Sequence, residues 1–213
     1  HFAKGAPGIK YPFHISEYAH SMGNAVGNLK DYWDAIESSN YIMGGAIWDW
    51  ADQSFWNYDK KSGTKYMGYG GDFGDRPNDH MFCMNGIVFA DHTPKPQYHE
   101  VKKVYQNVGV KMLDNGNISV FNKRYFKTLG DMDICVSLWA DGQQIQRYFM
   151  PDMNIAPRQA KEFKPSFNGV ELQNDKEYFV KVQFLLKKDM PWAQAGYVQM
   201  EEQMLLKQAC KNQ

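Results

Sequence analysis

Residues 41–50 read YIMGGAIWDW, a run that is apolar at almost every position. A short run of this kind is typical of a strand that is buried on both faces of a parallel sheet. Upstream, residues 13–17 form a second extended segment, and residues 24–39 carry apolar side chains at helical spacing, with Asn24 as the predicted N-cap. Strand, helix and buried strand in this order predict a βαβ unit.

The stretch at residues 51–99 is rich in glycine, aspartate, asparagine and proline. A segment of this length without regular structure is uncommon inside a compact domain, so it predicts either a functional loop or elements that the pattern conceals. Near its end, Pro96 predicts the start of a short helix that continues to about Lys103. We therefore expect an α/β unit that closes with a helix.

From about Gln106 the pattern changes to short strands separated by turns that contain Asp, Asn and Gly. Several short strands with regular turns are typical of a β-sandwich of immunoglobulin-like type. We expect two domains, an α/β domain at residues 1–105 and an all-β sandwich at residues 106–213. The second carries no cluster of catalytic residue types, so its expected role is to brace the first. The clearest predicted strands are residues 118–121, 132–140, 145–150, 177–186 and 197–205.

The composition argues against several classes of partner. The 213 residues include 24 lysines and arginines and 24 aspartates and glutamates, so no net charge attracts a nucleic acid or an anionic membrane. No apolar run approaches the ~20 residues needed to span a bilayer. The three cysteines are odd in number and widely spaced, which predicts neither a disulfide framework nor a zinc ribbon.

The first residues, HFAKG, lack the layout of a signal peptide. The chain starts without Met and close to its strongest motif. We therefore expect that an N-terminal portion of a longer protein precedes His1.

The strongest local signal for chemistry is residues 14–20, HISEYAH. Glu17 ends the predicted strand just before a glycine-containing turn, and in α/β barrels catalytic groups gather at the carboxyl ends of strands. Two other interpretations stay open: Glu17 as the buried partner of a basic residue, and metal binding by His14, Glu17 and His20. The spacing matches no zinc-binding helix motif, which disfavours the metal.

Four blocks of the first half carry a more specific pattern: EYAHSMGN at residues 17–24, GGAIWDWADQ at 44–53, YGGDFGD at 69–75 and FCMNG at 82–86. In order and spacing they resemble the lac-type β-galactosidases of glycoside hydrolase family 2. The resemblance implies that residues 1–105 are the C-terminal part of a (β/α)8 TIM barrel. It implies, with a weaker match, that residues 106–213 are the immunoglobulin-like domain that follows the barrel.

The resemblance also implies roles for five residues. Glu17 is similar to the nucleophile, which attacks the anomeric carbon in a retaining mechanism. His20 matches a histidine that hydrogen-bonds sugar hydroxyls, and Trp48 matches the aromatic wall under the galactose ring; a core tryptophan is the alternative. Phe82, through its backbone carbonyl, and Asn85 match residues that help hold a sodium ion near the galactose 6-hydroxyl. For Asn85 alone, capping of its loop is the other interpretation.

The family's acid/base glutamate and magnesium ligands come from earlier barrel strands, which are absent from this chain. The resemblance therefore implies a parent enzyme, expected to be a homo-oligomer, that uses sodium and magnesium and hydrolyses terminal β-galactosides. The remainder of its polypeptide would complete the site, and the isolated chain is expected to be inactive. The alternatives are another family 2 specificity, such as β-glucuronidase or β-mannosidase, and a non-catalytic sugar-binding or structural module.

Overall fold

Two compact units make up the chain, His1–Tyr105 and Gln106–Gln213. The computed structural model describes residue 5, residues 7–151 and residues 153–210. The expectations about the HFAKG terminus fall almost entirely outside these residues. In the described part of the chain, no helix is long and apolar enough to cross a membrane.

Among its described residues, the first unit contains short strands and two α-helices. In chain order these elements are β1 (Phe13–Tyr18), α1 (Leu29–Glu37), β2 (Ile42–Ile47), β3 (Phe55–Tyr58), β4 (Lys65–Gly68) and α2 (Pro96–Val104). β1 and β2 pair in parallel with α1 as their crossover, so the predicted βαβ unit is present. α2 begins at Pro96, as predicted, because proline at the first helical position leaves no N–H unpaired.

α1 begins later than the sequence predicted. Asn28, rather than Asn24, precedes its first turn, and the backbone of Asn28 is left-handed, with φ 60°. Val26 also has a φ of 60°, although its side chain is buried. Residues in this conformation cannot continue a right-handed helix. The segment before Leu29 is therefore a series of turns, and the predicted N-cap at Asn24 was wrong.

β2 is shorter and more exposed than predicted. The expected strand covered residues 41–50, whereas β2 spans Ile42–Ile47 and pairs with β1 alone in the described part of the chain. The Met43 side chain is 67% exposed. A parallel strand is buried on both faces only where helices cover both faces of its sheet. The prediction of burial on both faces is therefore wrong for this chain.

The polar stretch at residues 51–99 contains an antiparallel hairpin that the sequence did not predict. β3 and β4 pair along their whole length. Asp59 orders the turn between them, because its carboxylate accepts the backbone N–H groups of Lys61 and Ser62 at 3.0 Å and 2.7 Å. A turn of 3-10 helix follows at His80–Cys83. The sequence of β3 does not show the alternation of apolar and polar residues that is typical of a strand, because aromatic side chains occupy both of its faces.

Tyr18 is the polar centre of the first unit's core. Its hydroxyl lies 2.7 Å from the hydroxyl of Tyr105 and accepts a hydrogen bond from Nε1 of Trp33, also at 2.7 Å. These bonds join the end of β1 to α1 and to the residue that follows α2. The buried apolar residues around Tyr18 are Val26, Leu29, Ile87, Val88 and Val101.

We expect Tyr18→Phe to destabilise the first unit by about 1–3 kcal/mol, because the N–H of the half-buried Trp33 side chain would lose its acceptor. Hydrogen exchange of α1 peptides at increasing urea concentration measures the loss. Tyr11→Phe is the matched control, since Tyr11 is 80% exposed and the same change should leave stability unaltered. Equal stability of the two variants would contradict the role of the Tyr18 hydroxyl.

The effect of Tyr18→Phe on stability also depends on pH. Burial, and secondly the bond to Tyr105, raise the pKa of Tyr18 well above its ordinary value. Since unfolded tyrosine ionises near pH 10, the contribution of Tyr18 to stability is complete below about pH 10 and is lost as the pH rises towards the folded pKa. Tyr18→Phe should lose less stability than the unsubstituted protein above that pH.

Among its described residues, the second unit contains strands and one short helical turn at Leu129–Asp131. The strands are β5 (Val108–Met112), β6 (Ile118–Asn122), β7 (Met132–Ala140), β8 (Gln143–Met150), β9 (Ala160–Phe163), β10 (Tyr178–Leu186) and β11 (Val198–Lys207). Four of them form one sheet in the order β11-β10-β7-β8, three form another in the order β5-β6-β9, and every neighbouring pair is antiparallel.

β10 confirms the predicted alternation, because its buried side chains recur at every second position from Tyr178 to Leu186. They join residues of both sheets in one apolar cluster. β5 and β9 were not predicted, since β5 contains a glycine and a lysine and β9 has mostly exposed side chains. All three cysteines are free.

Candidate active site

The carboxyl ends of β1 and β2 lie side by side. The strands run in parallel with Tyr18 opposite Ile47. Glu17 is the exposed penultimate residue of β1, and Trp48, which is 38% exposed, directly follows β2. The backbone N–H of Trp48 donates to the carbonyl of Tyr18 at 3.1 Å. Both predicted residues therefore stand at the edge where parallel-strand proteins place their reactive groups.

The loop that follows β1 folds back onto the end of β2. Ser21 is buried, and its backbone N–H donates to the carbonyl of Trp48 at 2.8 Å. His20 is half-buried, and the centroid of its ring lies 5.9 Å from that of Phe82. The loop after β1 thus contacts both the end of β2 and the segment that contains Phe82.

A second loop, residues 82–86, completes these contacts. Asn85 is buried, and its Nδ2 donates to the carbonyl of Phe82 at 3.2 Å. The backbone carbonyl of Asn85 accepts the N–H of Asp49 at 2.7 Å. The interactions form a closed ring through β1, the loop after it, the end of β2 and the second loop. We call this arrangement the contact ring. It links the segments that contain His20, Trp48, Phe82 and Asn85, and Glu17 lies next to Tyr18, the residue of β1 that takes part in it.

Two oxygen atoms of the second loop fit part of a cation site. Oδ1 of Asn85 is buried and has no hydrogen-bond partner among the described residues. The carbonyl oxygen of Phe82 lies on the same loop, 3.2 Å from the nitrogen of that amide. Hard cations take carbonyl, amide and carboxylate oxygens as ligands. Both atoms are therefore of the kind that a sodium ion takes as ligands, and a complete site would need further oxygen atoms.

The two other interpretations of the HISEYAH segment find no support. Among residues 7–151 and 153–210, no three histidine, cysteine, aspartate or glutamate side chains lie close enough to hold a metal ion. The metal-binding interpretation of His14, Glu17 and His20 therefore has no geometric basis. Glu17 is exposed, which contradicts its assignment as a buried partner of a basic residue.

Three buried polar residues beside the contact ring were not predicted from the sequence. Asp52, Lys95 and Gln97 are 4%, 8% and 9% exposed. Lysine, aspartate and glutamine are mostly surface residues, so the residue types alone do not predict burial at these positions. The clearest local signal of burial was the position of Lys95 between Pro94 and Pro96. This signal does not identify the residue with which Lys95 forms an ion pair.

The profile of glycosyl hydrolases family 2, TIM barrel domain, matches residues 2–110, about half of the chain. The chain belongs to glycosyl hydrolases family 2. A second profile, for domain 4 of β-galactosidase, matches residues 118–207. The family 2 resemblance of the four sequence blocks is thus confirmed, and the chain combines part of a TIM barrel with a β domain.

Curated family 2 relatives are named β-galactosidase. That of Priestia megaterium (strain DSM 319 / IMG 1521) is 40% identical over 200 residues, which are 92% of this chain and 19% of the relative. That of Vibrio cholerae serotype O1 is 39% identical over 195 residues, which are 92% of this chain and 18% of the relative. The chain therefore spans about a fifth of the length of these relatives.

Solved structures show more distant likenesses. Bacteroides uniformis β-glucuronidase 2, covalently bound to cyclophellitol-6-carboxylate aziridine, is 14% identical with a TM-score of 0.27, over 92% of this chain and 22% of that one. The β-D-mannosidase from Dictyoglomus thermophilum is 15% identical with a TM-score of 0.31, over 84% of this chain and 18% of that one.

Proposed function

We propose that this chain supplies the nucleophile side of the active site of a retaining β-galactosidase. The observation that supports the proposal is the contact ring, which links the segments that contain His20, Trp48, Phe82 and Asn85 at the carboxyl ends of the parallel strands, next to Glu17. The names of the curated relatives favour galactosides as the substrate class. The remainder of the parent polypeptide would complete the site.

Glu17 is the attacking group. One of its carboxylate oxygens bonds to the anomeric carbon while the bond between that carbon and the leaving oxygen breaks. The leaving oxygen takes a proton from a second carboxylic acid, held about 5–5.5 Å away in retaining enzymes and expected outside this chain. Water then gives its hydroxyl to the anomeric carbon and its proton to that carboxylate, and the ester bond to Glu17 breaks. The exposed position of Glu17 leaves its carboxylate open to a sugar.

His20 and Trp48 bind the sugar that Glu17 attacks. The Trp48 ring offers an apolar face on which the C–H face of a pyranose packs. His20, whose ring lies beside that of Phe82 of the second loop, hydrogen-bonds the sugar hydroxyls. The bond between Ser21 N–H and the Trp48 carbonyl ties the backbones of these two residues together. The pyranose therefore meets a preformed arrangement rather than two independent loops.

Phe82, through its backbone carbonyl, and Asn85, through its buried side-chain oxygen, would hold a sodium ion. The bound ion supplies a positive charge for the galactose 6-hydroxyl. The bond from Asn85 Nδ2 to the Phe82 carbonyl caps the second loop at the same time, so the capping and binding interpretations are compatible. The magnesium ligands of the parent enzyme are expected outside this chain.

The second unit would be an immunoglobulin-like sandwich that braces the barrel. Its three-stranded sheet joins the first, second and fifth strands of the unit, and its four-stranded sheet joins the fourth, third, sixth and seventh. In the constant-type immunoglobulin fold the fourth strand belongs to the first sheet, whereas here it joins the second. The assignment of the other six strands agrees with that fold and supports the proposal. We expect the intact enzyme to be a homo-oligomer.

A 2-deoxy-2-fluoro-β-galactoside with a good leaving group tests the proposal in the intact enzyme. The fluorine slows both chemical steps and the leaving group restores the first, so the glycosyl-enzyme ester accumulates. We expect peptide mass spectrometry to find one fluorogalactosyl group on Glu17, with activity lost at the same rate. A label on another residue would contradict the nucleophile assignment.

Two comparisons complete this experiment. The matching fluoroglucuronide and fluoromannoside should label the enzyme much more slowly, and faster labelling by either would contradict galactose specificity. The isolated 213-residue chain should neither acquire the label nor hydrolyse an aryl β-galactoside. Turnover by the pure chain would show that the second carboxyl group lies within it.

A further inference from the structure

A buried ion pair joins Asp52, in the segment after β2, to Lys95, the residue before α2. Nζ of Lys95 lies 2.6 Å from Oδ1 of Asp52, and the two side chains are 10% and 1% exposed. The same oxygen of Asp52 accepts the backbone N–H of Gly86 at 2.9 Å. Charges this far from water persist only with a partner and hydrogen bonds. One carboxylate oxygen here binds both the ammonium group and the second loop.

Gly86 packs against the backbone at Asp52 without room for a side chain. A Cβ at position 86 would lie 2.2 Å from the backbone nitrogen of Asp52 and 2.3 Å from the carbonyl carbon of Ala51. The N–H of Asp52 donates to the carbonyl of Val88 at 3.1 Å. Close packing and hydrogen bonds on both sides of Gly86 therefore hold the second loop against residues 51–52.

Gln97 fastens the loop after β1 in a similar way. Its side chain is buried, and Nε2 donates to the carbonyls of Ser21 and Gly23 at 3.4 Å and 3.3 Å. Lys95 and Gln97 flank Pro96, the first residue of α2. The start of one helix therefore holds both loops of the contact ring.

We propose that Asp52 and Lys95, together with Gln97, are positioning residues that hold these two loops and thereby set the sugar affinity of the site. The proposal rests on the proposed function, because displacement of Phe82 and Asn85 changes affinity only if they bind the sugar or its sodium ion. The three residues act through the backbone of the loops and not by touching the sugar.

Two double variants of the intact enzyme separate the hydrogen bond that Asp52 accepts from the Gly86 N–H from the charges of the ion pair. Asp52→Asn/Lys95→Met removes both charges and keeps a side-chain oxygen for the Gly86 N–H, whereas Asp52→Ala/Lys95→Met removes that acceptor too. We expect the second variant to raise KM for an aryl β-galactoside about tenfold to a hundredfold. Its kcat should change by less than about threefold, because a displaced loop weakens binding of substrate and transition state alike. The first variant should keep KM within about threefold.

Hydrogen exchange gives a readout that does not depend on activity. The backbone amides of residues 82–90 should exchange faster in Asp52→Ala/Lys95→Met than in Asp52→Asn/Lys95→Met. Gln97→Leu should speed exchange at residues 19–25 instead. Lys30→Met is the matched control, because it breaks an ion pair with Asp34 whose side chains are 71% and 59% exposed. We expect it to change neither exchange nor KM.

Equal KM values and equal exchange in the two double variants would overturn the proposal. A parallel fall in activity and melting temperature with unchanged KM would also overturn it, because a purely structural role predicts that result. If Asp52→Ala/Lys95→Met does not fold, Gln97→Leu makes the same comparison at the other loop. If the unsubstituted intact enzyme hydrolyses no β-galactoside, the proposed function fails, and the exchange rates still decide whether the residues position the loops.

Discussion

Replacing Glu17 by Gln in the intact enzyme should lower kcat for an aryl β-galactoside by at least about 10³-fold. The amide is nearly the same size as the carboxylate but carries no charge and is a poor nucleophile, so the glycosyl-enzyme ester cannot form. The exposed position of Glu17 means that the substitution removes no buried contact. Steady-state kinetics together with the melting temperature measure both effects, and the melting temperature should not change.

Glu100→Gln is the matched control for this experiment. Glu100 is an exposed residue of α2, so the same chemical change there should leave kcat and KM unaltered. Near-normal kcat in Glu17→Gln would show that another residue attacks the sugar. A fall in kcat accompanied by an equal loss of folded protein would show that Glu17 has a structural role.

Replacing Phe184 by Ala should destabilise the second unit by about 3–5 kcal/mol. Phe184, on the buried face of β10, is 1% exposed and lies opposite Ile134 of β7 and Met200 of β11. Truncation there leaves a cavity between neighbours that strands on both sides hold in place. Hydrogen exchange of β10 peptides at increasing urea concentration isolates this effect from unfolding of the first unit.

Phe126→Ala is the control for the core substitution, since Phe126 is 96% exposed. It removes the same atoms from a site where they are already in water, so the second unit should lose no measurable stability. A similar loss in both variants would contradict the assignment of Phe184 to the centre of the core.

Local patterns explain which parts of the fold could be predicted. The buried face of β10 follows from alternation within a single strand, and the start of α2 follows from one proline. The start of α1 could not be predicted, because Val26 and Asn28 adopt left-handed conformations that the sequence favours only weakly. β2 was predicted as buried because its composition suits a covered sheet, whereas exposure depends on what surrounds the strand.

The residues of the candidate site also fall into those that could be predicted and those that could not. The resemblance to family 2 supplied Glu17, His20 and Trp48, whose roles stay predictions, and the structure brings them together with the second loop. The pair formed by Asp52 and Lys95 could not be predicted, because the two residues are 43 positions apart and the resemblance assigned a role to neither, although Asp52 lies in the GGAIWDWADQ block. A contact of this kind exists only once the chain has folded.

β1 and β2 each have one partner strand in the described part of the chain, whereas β7 and β10 each have two. A strand edge without a partner can pair with another strand, and the exposed apolar side chain of Met43 on β2 also favours association. The balanced charge of the chain provides little repulsion against such association. We therefore expect concentrated samples to associate through the first unit while the second unit stays folded. The same strand edges would be the attachment surface for the remaining barrel strands of an intact enzyme.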